Sequence, residues 1–556
     1  MHIGAKQLRR QYLKTAAASV LIALSVCLAG HRFSTPRGAS AIVQCASLAE
    51  AEALVKSVGG RVTHELGIIN AVAAELTASQ LSAVRKKGAR VYADAPIEVA
   101  GKPFPDSVYP TLVGAAALHQ QGIRGNGVTV AVLDTGWWSG TNDEKRDTTN
   151  HDRTIRAEYS AITDIAGALP NDAYGHGTHV LSVIMGSQVA DDGTWLGIAP
   201  DASFAEVQAF DGTGAATYAN VIRGLDWILA NRVTYNIRVL NCSFAAPARS
   251  RYWDDPINQA VMKLWQAGIV VVVSAGNTGP NPMTIGVPGN NPYVITVGAM
   301  TDNYTPSDPT DDKLCSFSST GPTTEGFVKP EVVAPGGHIL GIMEDTDVLA
   351  TSYNKYLRTN KIEFVMSGTS QAAAVVSGIA ALVLQQYPSL TPDQVKFRIM
   401  NAARPRLKAN SDLAYTVFQQ GAGLVDAYGA VMGTRFDVAN VGLDIDKDVA
   451  GIEHYGGPAQ QYPNNGAYYI PGMGAYDWNG GYTKASDGKV WASDYVWSND
   501  YVWSNDYVWS NDYVWSNDYV WSNDYVWSND YVWTNDYIWS NSLSEAASIN
   551  AWVDQE

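Results

Sequence analysis

Val130-Ala131-Val132-Leu133-Asp134-Thr135-Gly136 runs four apolar residues directly into a carboxylate and a glycine. An unbroken apolar run suits a strand buried on both faces, and such strands belong to parallel sheets covered by helices. Ile237 to Leu240 and Ile269 to Val273 are similar runs. Between them, Val221, Ile222, Leu225, Ile228 and Leu229 recur at helical spacing. Ile257 to Trp265 does the same and stops at Gly268, a natural helix end. Residues 109–432 are therefore expected to be an α/β domain, with a mostly parallel sheet and helices on both faces.

In an open α/β sheet, ligands bind beyond the carboxyl ends of the strands. Asp134 stands at such an end, although alone it reads equally well as a turn residue before Gly136. Gly175-His176-Gly177-Thr178-His179-Val180 sets a histidine at a helix opening. A single loop histidine is usually structural, and His176 with His179 makes a weak metal pair without a carboxylate beside it. Gly368-Thr369-Ser370-Gln371-Ala372-Ala373 puts a serine at the start of a small-residue helix expected to end near Gln386. A lone Gly-Thr-Ser is ordinarily an N-cap. The same helix end also offers unpaired N–H groups and positive dipole to a developing oxyanion. Serine-based peptide hydrolysis needs a nucleophile, a base, an acid that orients the base, and oxyanion donors. Asp134, His176 and Ser370, each in its own motif and in that order, are the catalytic candidates.

Asp-Thr-Gly at 134–136, His-Gly-Thr-His at 176–179 and Ser-Gly-Thr-Ser at 367–370 together resemble the subtilase family of serine proteases. Leu196-Gly197-Ile198-Ala199-Pro200, Phe317 to Pro322 and Lys329 to Gly336 agree with it. The resemblance covers about 109–432 and implies a subtilisin-like fold and endopeptidase action on polypeptides. It also implies Ser274-Ala275-Gly276-Asn277 as the oxyanion segment, with the Asn277 amide and the Ser370 N–H as donors. Asn241 to Ala246 would be the strand that pairs with extended substrate, through Ser243, Phe244 and Ala245. The family usually carries two glycines where Ala245 and Ala246 stand, so the primary specificity pocket is expected to be narrower here. Ala374 replaces a customary proline, with little expected effect. Family members often bind calcium. Asp143, Asp147, Asp191 and Asp192 are acidic loop residues that form no regular ligand pattern and read first as solvated surface charge, so no metal ligands are assigned and calcium stays open as a cofactor.

Upstream, residues 41–101 read as a small α+β unit, βαββαβ. Ala51, Leu54 and Val58 mark one helix and Ser79 to Lys86 a second. The order resembles the inhibitory prodomain of subtilases; without that resemblance it is a ferredoxin-like module of open function. Lys6, Arg9, Arg10 and Lys14 precede a short apolar stretch from Thr15 to Gly30, the pattern of a signal peptide over 1–30. Leu24-Ser25-Val26-Cys27 approaches a lipobox, which leaves lipidation or an uncleaved anchor as alternatives. A secreted, periplasmic or cell-surface protein is expected, self-processed from a precursor and inhibited by its own prodomain.

Downstream, 433–490 is rich in Gly, Tyr, Asn and Pro and reads as a linker. Residues 491–541 then carry eight copies of Asp-Tyr-Val-Trp-Ser-Asn, with Thr534 and Ile538 the deviations. Tyr, Val and Trp favour strands, so this tail is expected to be β, bound to a cell surface or to itself. On a second reading the tail is the main functional element. The eight Asp residues of the repeats are half of the net charge of -16. Such acidity argues against a nucleic-acid partner. With 46% hydrophobic and 17% charged residues, the chain is globular in composition. Only Cys242 and Cys315 would remain after removal of signal and prodomain, and their spacing gives no disulfide signal.

Overall fold

In a computed structural model, residues 39–470 are described except 95, 100–107, 155, 168, 170, 190–192, 306–307, 409–412 and 463–466. The expected signal peptide and the repeats lie outside the described residues, as do Asp191 and Asp192.

The first unit runs β1 (Ala39–Gln44), α1 (Leu48–Ser57), β2 (Arg61–Leu66), β3 (Ala71–Leu76), α2 (Ala78–Lys86) and β4 (Arg90–Ala93). Its four strands form an antiparallel sheet in the order β2-β3-β1-β4. Strand side chains alternate between faces, and the two sets go to different cores. Val43, Val72 and Ala74 pack with Ala51, Val55 and Val84 of the unit's own helices. Ile42, Ala71 and Ala73 join the large core of the rest of the chain. A short segment follows as β5 (Pro96–Val99), which belongs to a different sheet.

The main body is built on β6 (Thr129–Asp134), β7 (Arg156–Ser160), α3 (His176–Met185), β8 (Ser203–Gln208), β9 (Ala215–Thr217), α4 (Tyr218–Asn231), β10 (Ile237–Cys242), β11 (Phe244–Ala245), α5 (Pro256–Gln266), β12 (Val270–Ser274), β13 (Ile295–Thr301), β14 (Val332–Pro335), β15 (Ile339–Ile342), β16 (Glu363–Met366) and α6 (Thr369–Gln386). Seven strands lie parallel in the order β7-β8-β6-β10-β12-β13-β14, and two-residue antiparallel strands flank them. The expected mostly parallel sheet is therefore present. Its first strand, β6, has later strands on both sides, so the sheet reverses direction there.

Helices cover both faces. A Cβ on Gly224 of α4 would meet Leu133 and Val207, which puts α4 on the Leu133 face. Ser377 of α6 donates to Asn241, which pairs in register with Val132, so α6 lies on the opposite face. Gly177 of α3 approaches the Cβ of Asp134 and shares the α6 side.

Of the stretch read as a linker, residues 433–462 and 467–470 are described, and they pack on the main body. Leu443, Ile445 and Val449 cover its core. The buried Asp448 carboxylate accepts hydrogen bonds from Tyr252 (2.6 Å), Tyr293 (3.0 Å) and His454 Nδ1 (2.7 Å). The attachment thus joins apolar side chains at no single period with a buried polar cluster centred on Asp448. Among the described residues, Cys45, Cys242 and Cys315 stand as thiols outside any disulfide. Among the described residues no helix is long and apolar enough to cross a membrane.

Candidate active site

Asp134 ends β6, where the strand order reverses, the place at which open α/β sheets generally bind ligands. Its Oδ1 lies 2.8 Å from His176 Nδ1 and also accepts the Thr135 N–H at 2.8 Å. A carboxylate oxygen only accepts, so Nδ1 carries the hydrogen and Nε2 is the ring's acceptor nitrogen. His176 opens α3. The loop before it is held by Asp172, a residue with no motif signal of its own. Asp172 accepts from the N–H groups of Tyr174, Gly175 and Thr178 and from the Thr178 hydroxyl, at 2.9–3.0 Å. A Cβ on Gly177 would stand 2.2 Å from the Gly136 carbonyl, so only glycine lets the two segments meet this closely.

Ser370 is the second residue of α6. Its Oγ donates to the Ser243 carbonyl at 2.9 Å, and Ser243 Oγ donates to the Ser370 carbonyl at 2.9 Å. Asn241 in turn donates to Ser243 Oγ at 2.8 Å. Asn277 Oδ1 accepts from Thr369 N (3.0 Å) and Thr369 Oγ1 (2.8 Å). A backbone N–H can only donate, so the atom facing it is the amide oxygen and the NH2 group is turned away from Thr369. Thr369 was not singled out from the sequence, where it read only as a link in Gly-Thr-Ser.

His179 does not face His176 as a second ligand would. Its Nε2 lies 3.2 Å from the Ile339 carbonyl and 3.1 Å from that of Phe364, so Nε2 carries the hydrogen. Burial, with His176 nearby, pushes its pKa down to about 3, and it stays a neutral structural group. Among the described residues no three His, Cys, Asp or Glu side chains gather as an ion site. Asp147 instead accepts from Thr149 and His151. Glu206 on β8 is fully buried, and burial followed by the charge of Asp134 drives its pKa well above the carboxylate range. Nothing in Ser203–Gln208 marked it, because it sits inside an otherwise ordinary strand.

β5 lies between β9 and β11, antiparallel to both. Glu98 stands opposite Ala215 on one side and Ala245 on the other; Ile97 opposes Ala216 and Val99 opposes Phe244. The Phe244 ring is buried against Phe210, with centroids 5.2 Å apart, which leaves the main chain of 244–245 to pair with β5. Ser274 Oγ donates to the Phe244 carbonyl at 2.9 Å, so Ser274, Ala275 and Gly276 run beside β11. β9 has no counterpart in the sequence reading.

A family model described as the Subtilase family matches residues 125–429. The chain belongs to the subtilase family. This subtilase is 34% identical to the serine protease AprX of Bacillus subtilis over 397 residues, which is 69% of this chain and 84% of that one. It is 29% identical to subtilisin E of the same species over 388 residues, 69% of this chain and 86% of the other. Among solved structures it resembles fervidolysin from Fervidobacterium pennivorans, described as a keratinolytic enzyme related to subtilisin. The TM-score is 0.56 at 23% identity, over 72% of this chain and 62% of that longer one, a likeness of fold alone. This subtilase is a serine endopeptidase, a hydrolase whose substrates are polypeptides.

Proposed function

We propose that this chain is the precursor of a secreted endopeptidase that removes its own residues 41–101 by a Ser-His-Asp acyl-enzyme mechanism. Ser370 Oγ attacks the scissile carbonyl and passes its proton to His176 Nε2. Asp134 holds the imidazole in the required tautomer and stabilises the imidazolium. The Asn277 NH2 and the Ser370 N–H stabilise the oxyanion. His176 then gives the proton to the leaving amine, and water hydrolyses the acyl-enzyme by the same steps in reverse.

The observation that carries this reading is β5 in the gap between β9 and β11. An extended segment hydrogen-bonded on both edges is what a bound substrate would present there. β5 is also the direct continuation of the 39–93 unit, which supports that unit as an inhibitor acting in cis. Val99, the last residue of β5, stands opposite Phe244, the neighbour of Ser243, whose carbonyl accepts from Ser370 Oγ. The cut is accordingly proposed at Ala100–Gly101, within residues 100–106. Secretion rests on the basic and apolar pattern of residues 1–30, and surface or self-association on the repeats at 491–541.

The test is N-terminal sequencing and intact mass of wild type and Ser370→Ala, each made without other proteases. Wild type should begin at Gly101, and Ser370→Ala should keep the upstream unit. A trimmed Ser370→Ala protein would refute self-processing.

A further inference from the structure

Ala245 projects into a slot walled by the backbone at Gly276 and Gly286 and by the Ser319 side chain beside Gly276. Its Cβ would stand 3.4 Å from a Cβ placed on Gly276 and 2.9 Å from one placed on Gly286. Gly276 has φ +107°, so a side chain is disfavoured there on backbone grounds as well. The walls are tied to one another. Gly286 N donates to the Ala275 carbonyl at 3.1 Å, and Ala246 and Val287 exchange hydrogen bonds of 2.9 and 2.7 Å. Ser274 Oγ fixes the Phe244 carbonyl from the other side. The slot cannot widen without breaking these bonds. Of the two alanines expected to narrow the pocket, only Ala245 approaches both glycines; Ala246, 3% exposed, supplies the backbone bridge to Val287.

Directly opposed residues of an antiparallel pair project to one face, and the faces alternate along each strand. Glu98 opposes Ala245. A substrate residue two positions further on, opposite Ser243, therefore shares the face of the Ala245 methyl. That residue contributes the carbonyl presented to Ser370.

We infer that Ala245 is a specificity-determining residue that restricts the acyl-side residue of the scissile bond to Gly, Ala or Ser. The inference rests on the catalytic reading of Ser370 given above. In sequence, the residue that follows Val99 is Ala100, whose side chain is a single methyl group.

The experiment uses processed enzyme and internally quenched peptides that differ only at this residue, through Gly, Ala, Ser, Val, Leu and Phe. A single methylene in an apolar pocket alters kcat/KM by about 10–200-fold. Ala should exceed Phe by at least about that range, and Ala245→Gly should lower the Ala-to-Phe ratio by about tenfold or more. Equal or faster cleavage after Phe by wild type overturns the inference. So does an Ala-to-Phe ratio left unchanged in a folded Ala245→Gly enzyme. Should that variant fail to fold, the wild-type series decides alone. A fluorophosphonate probe separates the two readings. Labelling of Ser370 with a preference for Phe removes only the slot, whereas no labelling and no turnover removes the catalytic reading and the slot with it.

Discussion

His176 Nδ1 and Asp134 Oδ1 are 2.8 Å apart, and each side chain is only 1% exposed. At that exposure water cannot substitute for the carboxylate as the partner of Nδ1. Asp134→Asn presents an amide that can donate to Nδ1 and thereby favours the other tautomer. Turnover on a short peptide should fall by about 10⁴ with KM little altered. A loss smaller than tenfold would remove Asp134 from the mechanism.

Thr369 fixes which end of the Asn277 amide is free. Asn277→Ala should lower kcat by about 10²–10³ and leave KM nearly unchanged, the signature of an interaction made in the transition state. Thr369→Val keeps the backbone donor and loses the hydroxyl, so its loss of kcat should be smaller and in the same direction. A rise in KM with kcat constant in either variant would contradict the assignment.

His179 is neutral in the folded protein down to about pH 3, whereas an unfolded histidine takes its proton near pH 6.5. Between those values the unfolded chain binds more protons, so stability is intact above about pH 6.5 and is lost as pH falls toward 3. The slope from this residue is about 1.4 kcal/mol per pH unit. Thermal melts of Ser370→Ala, which avoid autolysis, should show this slope, and His179→Asn in the same background should flatten it. An equal acid slope in both proteins would argue against the buried neutral ring.

Asp94 Oδ1 accepts the Ala219 N–H at 2.9 Å, within the first turn of α4. The carboxylate thus caps a helix of the main body from within the upstream unit. Residues 39–99 added as a separate polypeptide should inhibit the processed enzyme, and Asp94→Ala should weaken that inhibition by about tenfold. Equal inhibition constants would discount the cap.

Truncation after Gly488 should leave hydrolysis of short peptides within about twofold, because changes remote from packed groups are generally near neutral. Retention on cells, or self-association, should fall in the same protein. Unchanged retention would remove the proposed role of the repeats.

The main sheet was legible because its central strands are buried on both faces and therefore announce themselves as apolar runs. The Asp134, His176 and Ser370 segments were legible for a related reason: close backbone approach demands local glycines, as Gly177 against Gly136 illustrates. Long-range pairings were not legible. β9 contributes three residues, Ala215–Thr217, that become a rim only because Pro96–Val99 lies against them. Asp172 and Thr369 act through backbone N–H groups and amide oxygens, which leave no pattern in sequence. The packing of 433–462 on the main body was not legible because Leu443, Ile445 and Val449 contribute to it at no single period, while Asp448 adds a polar cluster with two tyrosines and a histidine.

The gap between β9 and β11 is one strand wide, and whatever enters must offer free N–H and C=O groups along both of its edges. A strand inside a folded protein has already committed those groups to its neighbours, and a helix has turned them inward. Side-chain preference is therefore consulted second. The first question put to any protein is whether several consecutive residues can leave their own structure, so cleavage rates on intact proteins should track local unfolding free energy more closely than sequence.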